Sequence, residues 1–299
     1  MLKIGVIGLG NIAQKAYLPV MAAMQDQYEF HLTTRNPEKR AQLATMYGLQ
    51  HTHATLEELM AVKPAAVFVH TPTDTHAAII KQLLLAGIHV YVDKPVATDL
   101  QVVQSLYDLA AAHLLLTCGF NRRFAPFNQQ LKALPDKRML VAEKVREVGS
   151  QDPETAVFDL MIHMVDTGLF LLDEPLEHTS GRLTTTATGA LAQGYLTVQT
   201  AHEQLEVITN MYGGVNLEQV TVQTTGQRAI VTDLSTKTVM ATATTTTTAF
   251  PDWTPTLEKR GFAPLIRAFL TAVTTHGPNP IAPTSAITSH AVCRHLLSD

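Results

Sequence analysis

Three groups of residues in this sequence are spaced for chemistry. Gly8-Leu9-Gly10-Asn11-Ile12-Ala13 reads G-x-G-x-x-A after an apolar run. In that setting the first glycine allows a tight turn and the second lets backbone approach a pyrophosphate. The alanine lets the following helix pack closely on its strand, and that helix offers free N–H donors to the phosphates. Lys94, between Asp93 and Pro95, follows a second apolar run; an ammonium there polarises a carbonyl or stabilises an alkoxide, with Asp93 to orient it. Asp159, His163 and Asp166 fall at i, i+4 and i+7, one face of a helix. Nearly every other residue from 158 to 172 is apolar, so that helix is expected to be buried, where ionisable groups are costly unless paired or used. His163 exchanges protons near neutral pH and Asp159 is placed to orient it. No metal is expected, because no second histidine stands at convincing ligand spacing from His163.

The elements that must hold these groups follow from apolar periodicity. Residues 2–7, 29–34, 65–70, 88–92 and 114–118 read as strands, separated by helical patterns at 11–24, 37–47, 56–62, 75–86 and 99–112. Strands joined through helices pair in parallel with right-handed crossovers, which predicts an α/β doubly wound Rossmann sheet over residues 1–120. Such a sheet binds ligands beyond the carboxyl ends of its strands. Gathered there are Gly8, Gly10, Asn11, Ile12 and Ala13, then Thr34 with Arg35, Thr71 with Pro72, Asp93-Lys94-Pro95, and Asn121-Arg122-Arg123. Residues 121–299 change character: Thr- and Val-rich stretches at 195–200, 205–212, 220–224 and 229–233 predict a mostly antiparallel open sheet, with helices near 265–273 and 285–297. The Thr-rich tract 242–248 suits an exposed or edge strand. The second domain is therefore α+β.

The cofactor reading turns on the end of the second strand. An NAD-preferring site carries Asp or Glu there, about 20 residues beyond the glycine loop, for the ribose 2′-hydroxyl. This sequence has Thr34 and Arg35, with Lys39 and Arg40 a helical turn on. A hydroxyl beside guanidinium and ammonium groups suits a 2′-phosphate, so NADP is expected in preference to NAD.

Composition narrows the rest. The chain has 299 residues, 22 Lys plus Arg against 26 Asp plus Glu and a formal charge of −4, which argues against a nucleic-acid-binding surface as the organising feature. At 46% hydrophobic and 16% charged it is a folded protein and not a disordered one. Polar residues break the apolar run at Gly8 too early for an export signal, and the run at 160–172 is too short to cross a bilayer. Two cysteines, Cys118 and Cys293, with no C-x-x-C pair, argue against a disulfide framework and a thiolate zinc site and fit a cytoplasmic setting.

The glycine loop, the segment His70-Thr71-Pro72-Thr73-Asp74-Thr75-His76, the Asp93-Lys94-Pro95 tripeptide and the D-x-x-x-H-x-x-D helix together resemble the Gfo/Idh/MocA oxidoreductases. The runs G-N-I-A-Q-K-A-Y-L-P, V-D-K-P, G-F-N-R-R-F-A-P and L-E-K-R-G-F are similar to its MviM branch, which carries a virulence-factor label. That resemblance implies catalytic roles for Lys94, Asp159 and His163. It implies cofactor contacts that include His76, and an open second-domain sheet that supports homodimers or homotetramers. Its substrates would be sugars, polyols or related small carbonyl compounds. Departures are Asp93 where the family usually has Glu, Glu154-Thr155-Ala156-Val157 where a glycine-rich turn is usual, and a shorter chain. The expected reaction is hydride transfer between a nicotinamide and a secondary alcohol or its carbonyl. His163 would serve as general base or acid, Lys94 as the stabiliser of negative charge on oxygen, and Asp159 as the positioning group. Arg122 and Arg123 are candidate substrate contacts. Two other readings use the same residues: a dinucleotide sensor that needs the Gly8 loop alone, and nicotinamide-dependent cleavage of glycosides.

Overall fold

In the computed structural model, which describes residues 1–111 and 113–298, the strand–helix alternation of the N-terminal part builds a single parallel sheet. Its strands are β1 (Leu2–Ile7), β2 (Tyr28–Thr33), β3 (His51–His53), β4 (Ala66–Val69), β5 (His89–Val92) and β6 (Leu116–Cys118), ordered β3-β2-β1-β4-β5-β6. The strand order reverses at β1, which places the ends of β1 and β4 at the switch point where such sheets take ligands. The helices start where local chemistry says they should. Asn36 accepts from the Lys39 backbone N–H, Thr55 from that of Glu58, and Asp99 from those of Gln101 and Val102. Gly48, at φ 68°, ends the helix Pro37–Tyr47 in the left-handed conformation. The helix after Asp99 runs Leu100–Ala110; its expected end at Ala112 lies outside the described residues.

Two features depart from the expected pattern. Strand β3 has no apolar signature, being His-Thr-His, and exists because it extends the β2 edge in register, His31 beside His51. The helix after the glycine loop is not regular either: Ala13–Tyr17 is a π-helical turn leading into Leu18–Ala22.

The chain divides into two units, Met1–Gly119 with Phe262–Ile287, and Phe120–Gly261 with Thr288–Asp299. The expected division at 120/121 thus needs one correction: Phe262–Ile287 packs with the first unit. Helix Phe262–Thr275 sets Phe269 edge-on against Phe68 and Tyr91 at 5.3 and 5.5 Å, and Phe262 edge-on to Tyr17 at 5.6 Å. Beyond it, Asn279 donates to the Leu116 carbonyl and accepts from the Thr117 hydroxyl, which covers the β6 edge.

In the second unit an eight-stranded sheet forms from β7 (Lys137–Val145), β8 (His178–Thr185), β9 (Leu191–Gln199), β10 (Gln204–Asn210), β11 (Leu217–Thr224), β12 (Arg228–Thr232), β13 (Thr236–Ala241) and β14 (Thr244–Ala249). The order is β14-β13-β12-β11-β7-β10-β9-β8, antiparallel throughout except for the parallel pair β7–β10. The Thr-rich tract supplies β14, the fully exposed terminal strand. Strand β7, central in the sheet, was invisible in the sequence because Lys137, Arg138, Glu143 and Lys144 mask its alternation. The helix Ile162–Leu171 lies on this sheet, and Gly168 lets it approach: a Cβ there would stand 2.6 Å from the Leu205 side chain. Among the described residues no helix is long and apolar enough to cross a membrane.

Candidate active site

At the switch point of the first unit the carboxyl ends of five neighbouring strands are tied together by backbone. Gly8 N–H donates to the Thr33 carbonyl, His70 N–H to that of Ile7, Asp93 N–H to that of Val69, and Gly119 N–H to that of Val92. Thr33–Thr34, the Gly8 turn, His70–Thr71 and Asp93–Lys94 therefore stand side by side in strand order. Gly8 has φ 89°, and a Cβ there would lie 2.4 Å from the Thr71 backbone nitrogen, so both the turn and the close approach demand glycine. At Gly10 a Cβ would meet nothing within 4 Å. The fold itself does not require a glycine at position 10. That open space, at the start of a helix, fits a pyrophosphate.

His76 joins two of these ends: its Nδ1 lies 2.9 Å from the Pro95 carbonyl and its Nε2 2.8 Å from that of Thr71. At the β2 end Arg40 donates to the Thr34 carbonyl (2.7 Å), Arg35 is exposed and Lys39 is half-buried. Asn11 and Ile12, the other loop residues singled out, are exposed and Ala13 is buried.

Around Asp93 the structure adds residues that the sequence did not flag. The Tyr17 hydroxyl donates to Asp93 Oδ1 at 3.0 Å and lies 3.3 Å from the Tyr91 hydroxyl. The Tyr17 ring lies against that of His70, centroids 3.8 Å apart and planes tilted by 32°. Gly119 leaves room for this network, since a Cβ there would fall 3.1–3.2 Å from the Tyr91 and Tyr17 hydroxyls and Asp93 Oδ1. Burial raises the Asp93 pKa above the usual range, opposed by the Lys94 charge and the Tyr17 hydrogen bond. Burial, with the Asp93 charge, also holds the Tyr17 phenol well above its ordinary value. His70 is buried with no hydrogen-bond partner on either ring nitrogen, and burial next to His76 pushes its pKa down to about 3. The available signal was position alone: Tyr17 ends the first turns after the glycine loop, and His70 immediately precedes Thr71.

In the second unit Asp159, His163 and Asp166 lie on the helical stretch 153–171, which Asp152 caps. The expected buried polar stripe does not form. Val157–Met161 is π-helical, and in that wider turn i and i+4 no longer stack. Phe158, Leu160 and Met161 turn inward, and Asp159 is exposed, accepting from Gln151 Nε2 at 3.1 Å. His163 is half-buried. Asp166 is 1% exposed and belongs to the core, held by the Arg123 guanidinium at 2.5 and 2.9 Å and by the Ser289 hydroxyl at 2.8 Å.

The two arginines expected to meet substrate are buried and used inside the unit. Arg123 forks onto Asp166. Arg122 forks onto Glu218 at 2.7 and 2.8 Å, and Lys144 reaches the same carboxylate at 2.8 Å. Burial alone would raise the Glu218 pKa, but Arg122 and Lys144 outweigh it and hold the carboxyl far below its ordinary value. Asn121, expected at the cofactor, is also buried, its amide donating to the Arg260 carbonyl at 2.7 Å. The remaining Arg122 nitrogen, Nη1, donates to His163 Nδ1 at 2.8 Å. A guanidinium can only donate, so this bond fixes Nδ1 as the acceptor and the ring proton on Nε2. Glu218 and Lys144 were missed because they are 96 and 22 residues from Arg122 in the chain and meet it only through the sheet.

Residues 2–120 match the family model described as the oxidoreductase family with an NAD-binding Rossmann fold, and residues 126–241 match the YceM-like C-terminal domain. YceM of Salmonella typhimurium, which carries the name of an oxidoreductase, is 33% identical over 100% of this chain and 98% of its own. The chain belongs to the Gfo/Idh/MocA oxidoreductases. Within that family its likeness to the MviM branch is structural as well: the crystal structure of the MviM dehydrogenase from Clostridium difficile superposes with a TM-score of 0.94 at 28% identity, covering 99% of each chain. An inositol 2-dehydrogenase of Rhizobium meliloti is 30% identical over 60% of this chain and 57% of its own length. Gfo/Idh/MocA membership makes this an NAD(P)-dependent oxidoreductase, and the first unit is its dinucleotide-binding fold.

Proposed function

We propose that this oxidoreductase transfers a hydride between NADP, preferred over NAD, and a secondary alcohol or carbonyl carbon of a sugar, polyol or related small molecule. The observation that carries the proposal is the open Cβ space of Gly10 at a switch point whose neighbouring strand ends present Lys94. The match to an inositol 2-dehydrogenase supports the substrate class, and the absence of an acid at Thr34–Arg35 supports NADP. The protein would work in the cytoplasm as a homodimer or homotetramer. The bound nicotinamide supplies the hydride acceptor or donor.

The chain's own groups handle the oxygen. Lys94 stabilises negative charge on it. His163, with its proton on Nε2 while Arg122 occupies Nδ1, donates a hydrogen bond to it; to take a proton as general base the ring must release Arg122. Asp159 is the positioning group. Gly8, Gly10, Asn11, Ile12, Ala13, Thr71, Pro72, His76, Asp93 and Pro95 would hold the cofactor, and Thr34, Arg35 and Lys39 would meet a 2′-phosphate.

The test is a panel of sugars, inositols and their phosphates, followed by the absorbance of the reduced nicotinamide and by chromatography of products. A dehydrogenase gives cofactor turnover with an oxidised product; release of a sugar without net turnover identifies glycoside cleavage instead. Lys94→Ala is expected to lose at least about 10²-fold in turnover with cofactor affinity retained. Unchanged turnover removes Lys94 from the mechanism, and tighter binding of NADH than of NADPH reverses the cofactor preference.

A further inference from the structure

The edge of the first-unit sheet carries a side-chain cluster that the dehydrogenase reading does not use. Alternation along a strand puts Glu29 and His31 on one face of β2, and His51 and His53 on one face of β3. The parallel register sets His31 beside His51, their rings stacked at 4.7 Å, with the His53 ring 5.1 Å from that of His31. One ligand atom each from Glu29, His31 and His51 lies within 4.8 Å of the other two, the one His/Cys/Asp/Glu group of this kind among the described residues.

We infer that Glu29, His31 and His51 bind a divalent transition-metal ion of the zinc class at this sheet edge. Two imidazole nitrogens and one carboxylate oxygen form a donor set that suits a borderline divalent ion and not magnesium or calcium, which prefer oxygen alone. Ligand atoms about 2.0–2.2 Å from a tetrahedral ion stand roughly 3.3 Å apart. His31 Nε2 and Glu29 Oε1, at 2.7 Å, need only to part slightly. His51 must close the remaining gap, and it is exposed on a three-residue terminal strand, where its ring can turn without moving packed neighbours.

The support around the ligands is in place. His31 is 3% exposed, and its Nδ1 lies 2.8 Å from His53 Nε2. With the ion on Nε2, the His31 proton sits on Nδ1 and donates to His53, the outer hydrogen bond that fixes a metal-bound imidazole. Protons balance: His31 moves its proton from Nε2 to Nδ1, and His53, now accepting at Nε2, likewise carries its proton on Nδ1. Three protein ligands leave a fourth position for water. The ion joins β3 to β2 across the open edge, in the body of the strands and before the Thr33–Thr34 end assigned to the cofactor. The cluster escaped the sequence reading because its ligands come from two strands 20 residues apart, joined only by the sheet register.

The experiment uses the full chain, with any affinity tag removed and metal stripped by chelation. Zn²⁺ is titrated in competition with a chromophoric chelator, and Co²⁺ is followed by its visible absorption. One Zn²⁺ per chain is expected, with affinity at least about 10-fold weaker in His51→Ala and in Glu29→Gln. The Co²⁺ bands should vanish in His51→Ala, while His202→Ala, at an exposed histidine paired with Glu174, keeps them. His51 is exposed, so the stripped His51→Ala protein should melt with the wild type, and a rise in melting temperature with Zn²⁺ should appear in the wild type alone. The absence of a bound equivalent, or affinity unchanged in His51→Ala, overturns the inference.

Discussion

The two units hold their functional groups by opposite means. In the first, the groups arrive on backbone: a glycine turn, five strand ends hydrogen-bonded in sheet order, and a helix start. In the second, His163 is held by a relay of side chains, Glu218 and Lys144 on strands and Arg122 on a short turn, that are distant in sequence and buried together. Backbone delivery tolerates side-chain change and fails on a misplaced Cβ. A charge relay tolerates small shape changes and fails when one charge is removed.

The largest effect is expected at Arg122. Arg122→Leu strands the Glu218 carboxylate, 3% exposed, with Lys144 as its remaining cation, and frees His163 Nδ1. Breaking one partner of a buried pair costs about 3–5 kcal/mol, readable as a lowered urea midpoint. A loss below about 1 kcal/mol would show that the relay is not what holds the second unit's site.

Next come the two loop glycines, which look equivalent in sequence and are not in structure. Gly8→Ala places a methyl group 2.4 Å from backbone at φ 89°, and about 1–3 kcal/mol of stability should be lost. Gly10→Ala meets no protein atom, so its stability should stay within about 0.5 kcal/mol of the wild type while dinucleotide affinity falls. Intact affinity in Gly10→Ala would break the assignment of that space to the pyrophosphate.

A third effect comes from His70. Burial, then His76, lowers its pKa to about 3, so between pH 6.5 and 3 the unfolded chain binds the extra proton and stability falls as the pH drops. From pH 7 to pH 5 this contributes a loss of about 2 kcal/mol. His70→Phe, which keeps a ring against Tyr17, should lack that component when unfolding is measured at both pH values. An equal acid loss in the variant would move the sensitivity elsewhere.

These contrasts also explain what could be read in advance. The Rossmann sheet and its cofactor edge were legible because caps such as Asn36, Thr55 and Asp99 and the Gly8 turn act over three or four residues. Strand β3 was not, since a polar His-Thr-His becomes a strand only by pairing with β2. Strand β7 was not, because its buried Lys137 and half-buried Lys144 are tolerated only with Asp173 and Glu218 to pair them. Lys94, His163 and Asp159 were singled out by pattern. The Tyr17–Asp93 and Arg122–His163 bonds were not, because a phenol on a carboxylate and a guanidinium on an imidazole are contacts of the folded chain with no period in the sequence.

The smallest stability effect should fall on Asp159, and it separates the two acids that the D-x-x-x-H-x-x-D pattern makes look alike. Asp159→Asn changes an exposed side chain bonded to Gln151, so the urea midpoint should correspond to a change within about 0.5 kcal/mol. Asp166→Asn removes the charge facing the buried Arg123 guanidinium and should cost several times more. Turnover divides them the other way. An acid that positions His163 acts through its charge, so Asp159→Asn should lower kcat at least about 10-fold and shift the pH profile of kcat, with KM for the cofactor unchanged. If Asp159→Asn leaves that profile in place, the carboxylate plays no part in the proton's path. The π-helical turn that lifts it into solvent would then be a packing consequence of Phe158 and Leu160 and not a device for presenting an acid.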